Sequence, residues 1–93
     1  MPGIPSTQLF DLIHSLSKSE KRYFKVFTPR HIIGEENKHI KLFNIIEKQS
    51  RYDENEVLKK SAVTKQQLKA QKNHLYELIL RSLDVYYLEE NAE

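Results

Sequence analysis

The side chains with chemistry to offer are scattered. Four histidines, His14, His31, His39 and His74, show no pair at i, i+4, no His-Glu-x-x-His pattern and no cysteine company. A protein metal site needs three or four such ligands brought to one point, and an i, i+4 pair is how a helix supplies two of them. No metal ligand is therefore assigned, and the histidines are read as ordinary surface or boundary residues. The chain contains no cysteine at all, which excludes a thiolate nucleophile, a thiolate metal site and a disulfide framework, and suits a reducing compartment. A cytoplasmic location is the expectation. Glu35-Glu36 and Glu89-Glu90 are neighbouring carboxylates that point in different directions, as solvated residues do and an acid/base pair does not. Gly3 and Gly34 are the only glycines, whereas phosphate-cradling loops need several at fixed spacing. No catalytic residue and no cofactor is assigned, and the chain is not expected to be an enzyme.

Charge is more suggestive. Residues 57 to 76 hold Lys59, Lys60, Lys65, Lys69 and Lys72 with no acid among them, while residues 77 to 93 hold Arg81 against Glu77, Asp84, Glu89, Glu90 and Glu93. A second basic stretch carries Lys18, Lys21, Arg22, Lys25 and Arg30 against Glu20, although the net charge is only +2. Such asymmetry can mark a polyanionic partner, or simply a set of solvated helix faces. Lys65, Gln66, Lys69, Lys72 and Asn73 are side chains suited to phosphates and base edges. They follow a short link, Ser61-Ala62-Val63, that can be drawn as the turn of a helix-turn-helix, though it lacks the glycine often found there. These five are the candidate nucleic-acid contacts.

Positioning any of these residues falls to helices. With 93 residues, 39% hydrophobic and 30% charged and a mean hydropathy of −0.65, the chain reads as one domain, 1–93, with its core at about 6–89. A chain this size buries only roughly 60 to 65% of its unfolded surface, which leaves little apolar area for an enclosed pocket. No apolar run approaches the ~18 residues of a membrane span, and Met1-Pro2-Gly3-Ile4-Pro5 is unlike a signal peptide. Scarce glycine and apolar spacings of three and four predict an all-α fold, a small bundle of five helices.

The first helix is read at Ser6 to Leu16, with Leu9, Leu12, Ile13 and Leu16 on one stripe. Ser17 to Glu20 is a capping box, so a second helix starts at Lys18; it is expected to stop near Thr28, because Pro29 disfavours helical geometry in the residue before it. Residues 28 to 36 form the one clear loop. A third helix from Asn37 to Ser50 spreads its apolar residues over about 220°, as a helix packed on two sides does. Asp53 to Glu56 is a second box, stapled by Tyr52 and Val57, and opens a short fourth helix ending near Lys60. Thr64 to Gln67 is a third box, with Val63 and Leu68 as its staple. The fifth helix then runs to about Glu89 and serves as the spine of the bundle. Its first half is polar on nearly every side apart from Leu68 and Ala70. From Leu75 onward its apolar residues cover about 220°, leaving a polar strip of His74, Glu77, Arg81 and Asp84.

Leu78, Val85, Tyr86, Tyr87 and Leu88 exceed what one side of a small bundle can cover. They form the candidate partner surface, to be covered by a protein partner, by further helices of a longer chain or by a second copy in a homodimer. The stretch Leu16-Ser17-Lys18-Ser19-Glu20-Lys21-Arg22-Tyr23-Phe24-Lys25, with Leu42-Phe43 and Ile46, Tyr52-Asp53-Glu54, Lys72-Asn73-His74-Leu75-Tyr76, Ile79-Leu80 and Ser82-Leu83, resembles the start of a family of longer helical bacterial proteins, chiefly of the Bacteroidetes lineage. The remainder of those proteins is similar to tetratricopeptide-type arrays. The resemblance spans about residues 9 to 87 and carries over no functional residue; it implies an amino-terminal module followed by further helices.

Overall fold

In a computed structural model of the chain, which describes residues 6–31 and 36–91, the apolar stripes become five helices, with no strand among the described residues. They are α1 (Ser6–Ser15), α2 (Lys18–His31), α3 (Glu36–Glu47), α4 (Glu54–Ser61) and α5 (Lys65–Asn91). The fold is the all-α bundle expected. Residues 32–35, with Gly34 and Glu35, lie outside the described residues, as does the carboxy-terminal end of the acidic tail.

Two of the three capping boxes close in full. The Ser17 amide donates to Glu20 Oε1 at 2.7 Å and the Glu20 amide to Ser17 Oγ at 3.1 Å. Thr64 and Gln67 exchange the same two bonds, each at 3.1 Å. The Asp53 box is only half made: the Glu56 amide donates to Asp53 Oδ1 at 3.3 Å, but the Asp53 amide goes to Gln49 Oε1 at 3.2 Å. Gln49 then donates through Nε2 to Glu56 Oε1 at 2.8 Å and to the Asp53 carbonyl at 3.1 Å. One buried amide side chain thus ties the end of α3 to the start of α4, and a buried amide must find such partners. It also accounts for α3 ending at Glu47 and not at Ser50.

A second departure concerns Pro29, through which α2 continues to His31. The restriction that a proline places on its predecessor is a bias and not a prohibition, and Phe24 and Phe27, both seated in the interior, hold the preceding turn in place.

The interior gathers Leu9, Ile13 and Leu16 from α1, Phe24 from α2, Leu42, Phe43 and Ile46 from α3, Val57 from α4, and Leu68, Leu75, Leu78 and Ile79 from α5. The Phe24 and Phe43 rings stack with centroids 4.9 Å apart. Leu83 is only half-buried at its edge. α3 packs against each of the other helices, as its broad apolar arc requires, while α5 lies mainly along α2. At 1.5 Å per residue the 27 residues of α5 extend about 40 Å, which nearly accounts for the 45 Å long axis of the molecule. α5 is the spine in that sense.

Candidate functional site

The start of α5 is aimed by its link to α4. Ala62 ends α4 in the left-handed conformation, at φ 57° and ψ 40°, with its amide donating to the Leu58 carbonyl. That geometry is usually left to glycine, because a Cβ crowds the following carbonyl. Here alanine adopts it, and the turn closes without the glycine that the sequence lacks.

Beyond the turn, Lys65, Gln66 and Lys69 are exposed, Asn73 is half-buried and Lys72 is buried, at 7% exposure. Lys72 is therefore a correction to the candidate nucleic-acid contacts. Its Nζ donates to Glu54 Oε1 at 2.7 Å and to the Tyr52 hydroxyl at 3.3 Å, and lies 5.6 Å from the Tyr52 ring centroid. The reason is helical phase. Leu68, Lys72, Leu75, Ile79, Ser82 and Tyr86 recur at spacings of four and three, which is the core-facing stripe, so Lys72 occupies an interior position and its charge is held by an acid from α4. Ser82, buried on the same stripe, satisfies its hydroxyl by donating to the Ile79 carbonyl at 2.8 Å, the back-bonding open to a serine inside a helix.

A larger basic face, not singled out above, lies on α3. Lys38 and Lys41, with Lys48 in the turn just past the helix end, fall within about 80° of one another about the helix axis. They rim two shallow grooves of about 390 and 410 Å³, the first shared with Gln67 and Gln71 of α5 and the second with Asn44 and with Lys60 of α4. Among the described residues no carboxylate lines either groove.

The candidate partner surface divides. Leu78 is buried in the core and drops out as a correction, since the α5 residues opposite Leu80 are covered by the bundle. Val85 is half-buried. Tyr86 is half-buried against Tyr23 of α2, with centroids 5.2 Å apart, and Tyr87 sets its ring edge-on to Tyr86 at 5.1 Å while donating its hydroxyl to Glu20 of α2. Leu88, 70% exposed, sits about 200° around the helix from Tyr86, on the side of Glu77, Arg81 and Asp84. What remains is a face shared by two helices. Ser19, Arg22, Tyr23 and Val26 of α2 and Tyr86 of α5 line a slot of about 250 Å³, beside which Val26 is 47% and Tyr87 49% exposed.

On the other flank of α2, Lys18, Lys21, Arg22, Lys25 and Val26 meet Glu47 of α3 in a groove of about 410 Å³. Glu47 holds Lys21 at 3.1 Å and Lys25 at 3.6 Å. Burial alone would raise its pKa, but the hydrogen bonds and charges of the two lysines outweigh that and hold it below the ordinary carboxylate value. Glu20 is also held low, chiefly by the Tyr87 hydroxyl and then by the Ser17 amide.

No group of three or more metal-ligating side chains occurs among the described residues. His14 stacks on Phe10 at 4.1 Å. His39 is buried, contrary to the surface or boundary role expected, with its ring edge-on to that of His74 at 4.7 Å. The side chain of His31 lies outside the described residues. No helix among them is long and apolar enough to cross a membrane. Compared with known protein families, with curated proteins and with solved structures, the chain matches none.

Proposed function

We propose that this chain is a non-enzymatic helical interaction module that receives a segment of a partner protein on the face shared by α2 and α5. The observation that carries it is the slot between Tyr23, Val26 and Tyr86, flanked by Val26 and Tyr87 at about half exposure. Large apolar side chains left in contact with one another at a surface mark an association site more often than those scattered singly. Aromatic anchors also suit such a site, because they bury much area with few rotatable bonds. Photo-crosslinking from position 26 should yield a discrete protein adduct that re-forms with the purified partner, and position 51, on the exposed α3–α4 turn, should not. Equal yields from the two positions, or an adduct only with nucleic acid, would overturn this. An adduct with later helices of a longer parent chain would identify the partner as intramolecular.

The lysine-rimmed grooves on α3 favour nucleic-acid binding as a second reading. Each phosphate contact contributes a logarithmic salt slope of about −0.9 for duplex DNA. Replacing Lys41, Lys48 and Lys60 with alanine should then flatten the slope by about 3 units, and replacing Lys65 and Lys69 by about 2. Absence of binding at ~50 mM salt with micromolar protein would leave both sets as solvated lysines.

A further inference from the structure

Along the outer face of α2, Lys18, Arg22 and Val26 follow one another at i, i+4 and i+8, which stacks them in a single row. Both cations are exposed, and neither forms an ion pair among the described residues, whereas Lys21 and Lys25 of the same helix are held by Glu47. The single acid of α2, Glu20, is engaged by the Ser17 amide and the Tyr87 hydroxyl. The row thus runs from two cations unpaired among the described residues to an exposed apolar residue, and its Arg22 and Val26 line the slot between Tyr23 and Tyr86. At about 250 Å³ that slot falls below the ~300 Å³ at which small-molecule pockets begin; it is of a size for a single bulky side chain.

Resting on the proposed function, we infer that the occupant of this face is an acidic amphipathic helix of a partner protein. It places one aromatic or branched apolar side chain in the slot and carboxylates one and two turns away against Arg22 and Lys18. Apolar burial supplies the anchor, as in other helix-in-groove complexes. Arg22 offers a planar, two-pronged donor that matches a carboxylate. Complementary charge sets the direction in which the helix lies and speeds encounter more than it adds to affinity.

The test uses the full 93-residue chain and a fluorescein-labelled helical peptide with one phenylalanine and with glutamates placed four and eight residues from it. A matched peptide has lysines in place of the glutamates. At moderate salt the acidic peptide should bind at least about tenfold more tightly than the lysine peptide, and the difference should shrink as salt screens exposed charges. The double substitution Lys18→Glu with Arg22→Glu should invert the preference. Neither side chain forms an ion pair among the described residues, and circular dichroism checks that the helices persist. Replacing the peptide phenylalanine with alanine should weaken binding by about tenfold in both backgrounds. Equal binding of the two peptides, a preference that survives the charge reversal, or no binding of either at several hundred micromolar would overturn the inference. Dimerisation through the slot that excludes the peptide would assign the face to a second copy and overturn it as well. A crosslinked partner that contacts position 26 through a neutral or basic segment would leave the proposed function standing and remove only its acidic occupant.

Discussion

The ammonium of Lys72 in α5 lies 2.7 Å from a carboxylate oxygen of Glu54 in the first turn of α4. The pair bridges two helices that are joined only by a three-residue link, and it is lopsided, because the lysine side chain is 8% exposed and the glutamate 44%. Glu54 can be rehydrated if its partner is lost; Lys72 cannot.

That asymmetry predicts unequal mutants. Glu54→Gln removes the counter-charge of a buried ammonium, and should cost about 1 to 3 kcal/mol. Lys72→Met keeps the apolar stem and removes the charge together with its need for a partner, and should stay within about 1 kcal/mol of the parent. Urea titrations of the two variants decide the matter; a larger loss from Lys72→Met than from Glu54→Gln would mean that the ammonium is hydrated.

Ala62 sits in left-handed geometry at φ 57°, where an L-residue is disfavoured by roughly 1 to 2 kcal/mol and glycine is not. After allowance for the greater freedom of glycine in the unfolded chain, Ala62→Gly should stabilise the domain by about 0.5 to 1 kcal/mol, as a higher urea midpoint at unchanged slope. Ala62→Val should destabilise it, since a branched side chain fits this region worse. A lower midpoint for the glycine variant would show that the turn is not left-handed in solution.

The Tyr87 hydroxyl is the foremost cause holding Glu20 below its ordinary value of 4.5. A carboxylate whose folded-state value is depressed contributes stability above its unfolded value and loses that contribution as pH falls through the folded one. The contribution of Glu20 should therefore be present near neutrality and fade in the acid range below 4.5. Tyr87→Phe should move the Glu20 carboxyl titration upward, followed by carbon-13 NMR, and make the acid loss of stability shallower. An unmoved titration would detach the end of α5 from the start of α2.

Ile79 is fully buried on the core stripe. Ile79→Ala removes buried methyl and methylene groups and leaves a cavity, so it should cost about 2 to 5 kcal/mol by chemical denaturation. A loss below about 1 kcal/mol would place Ile79 at the surface.

Much of this architecture is legible in the sequence. The Ser17/Glu20 and Thr64/Gln67 boxes act over three residues, and the amides they satisfy are exposed at every helix start, so local sequence suffices to place α2 and α5. The same holds for α4, whose cap at Asp53 forms although its second half is taken over by Gln49 from the preceding helix. The polar strip His74, Glu77, Arg81 and Asp84 is exposed along α5, as a period of 3.6 requires.

Tertiary structure decided what a helical period leaves open. A stripe position can hold an ionised side chain if another helix brings its counter-charge, and residue type alone does not report that; hence Lys72 turns inward while Lys65 and Lys69 remain outside. Residues adjacent in sequence separate by about 100° on a helix, so Tyr86 and Tyr87 meet α2 while Leu88 stands on the far side and Leu78 is buried in the core. Conversely, Lys18, Arg22 and Val26 become one face with Tyr86 only because α5 folds back along α2. Caps and stripes are set by neighbours within a turn or two, whereas a charge's counter-ion and a slot's second wall come from residues dozens of positions away, whose arrival is settled by how the whole core packs.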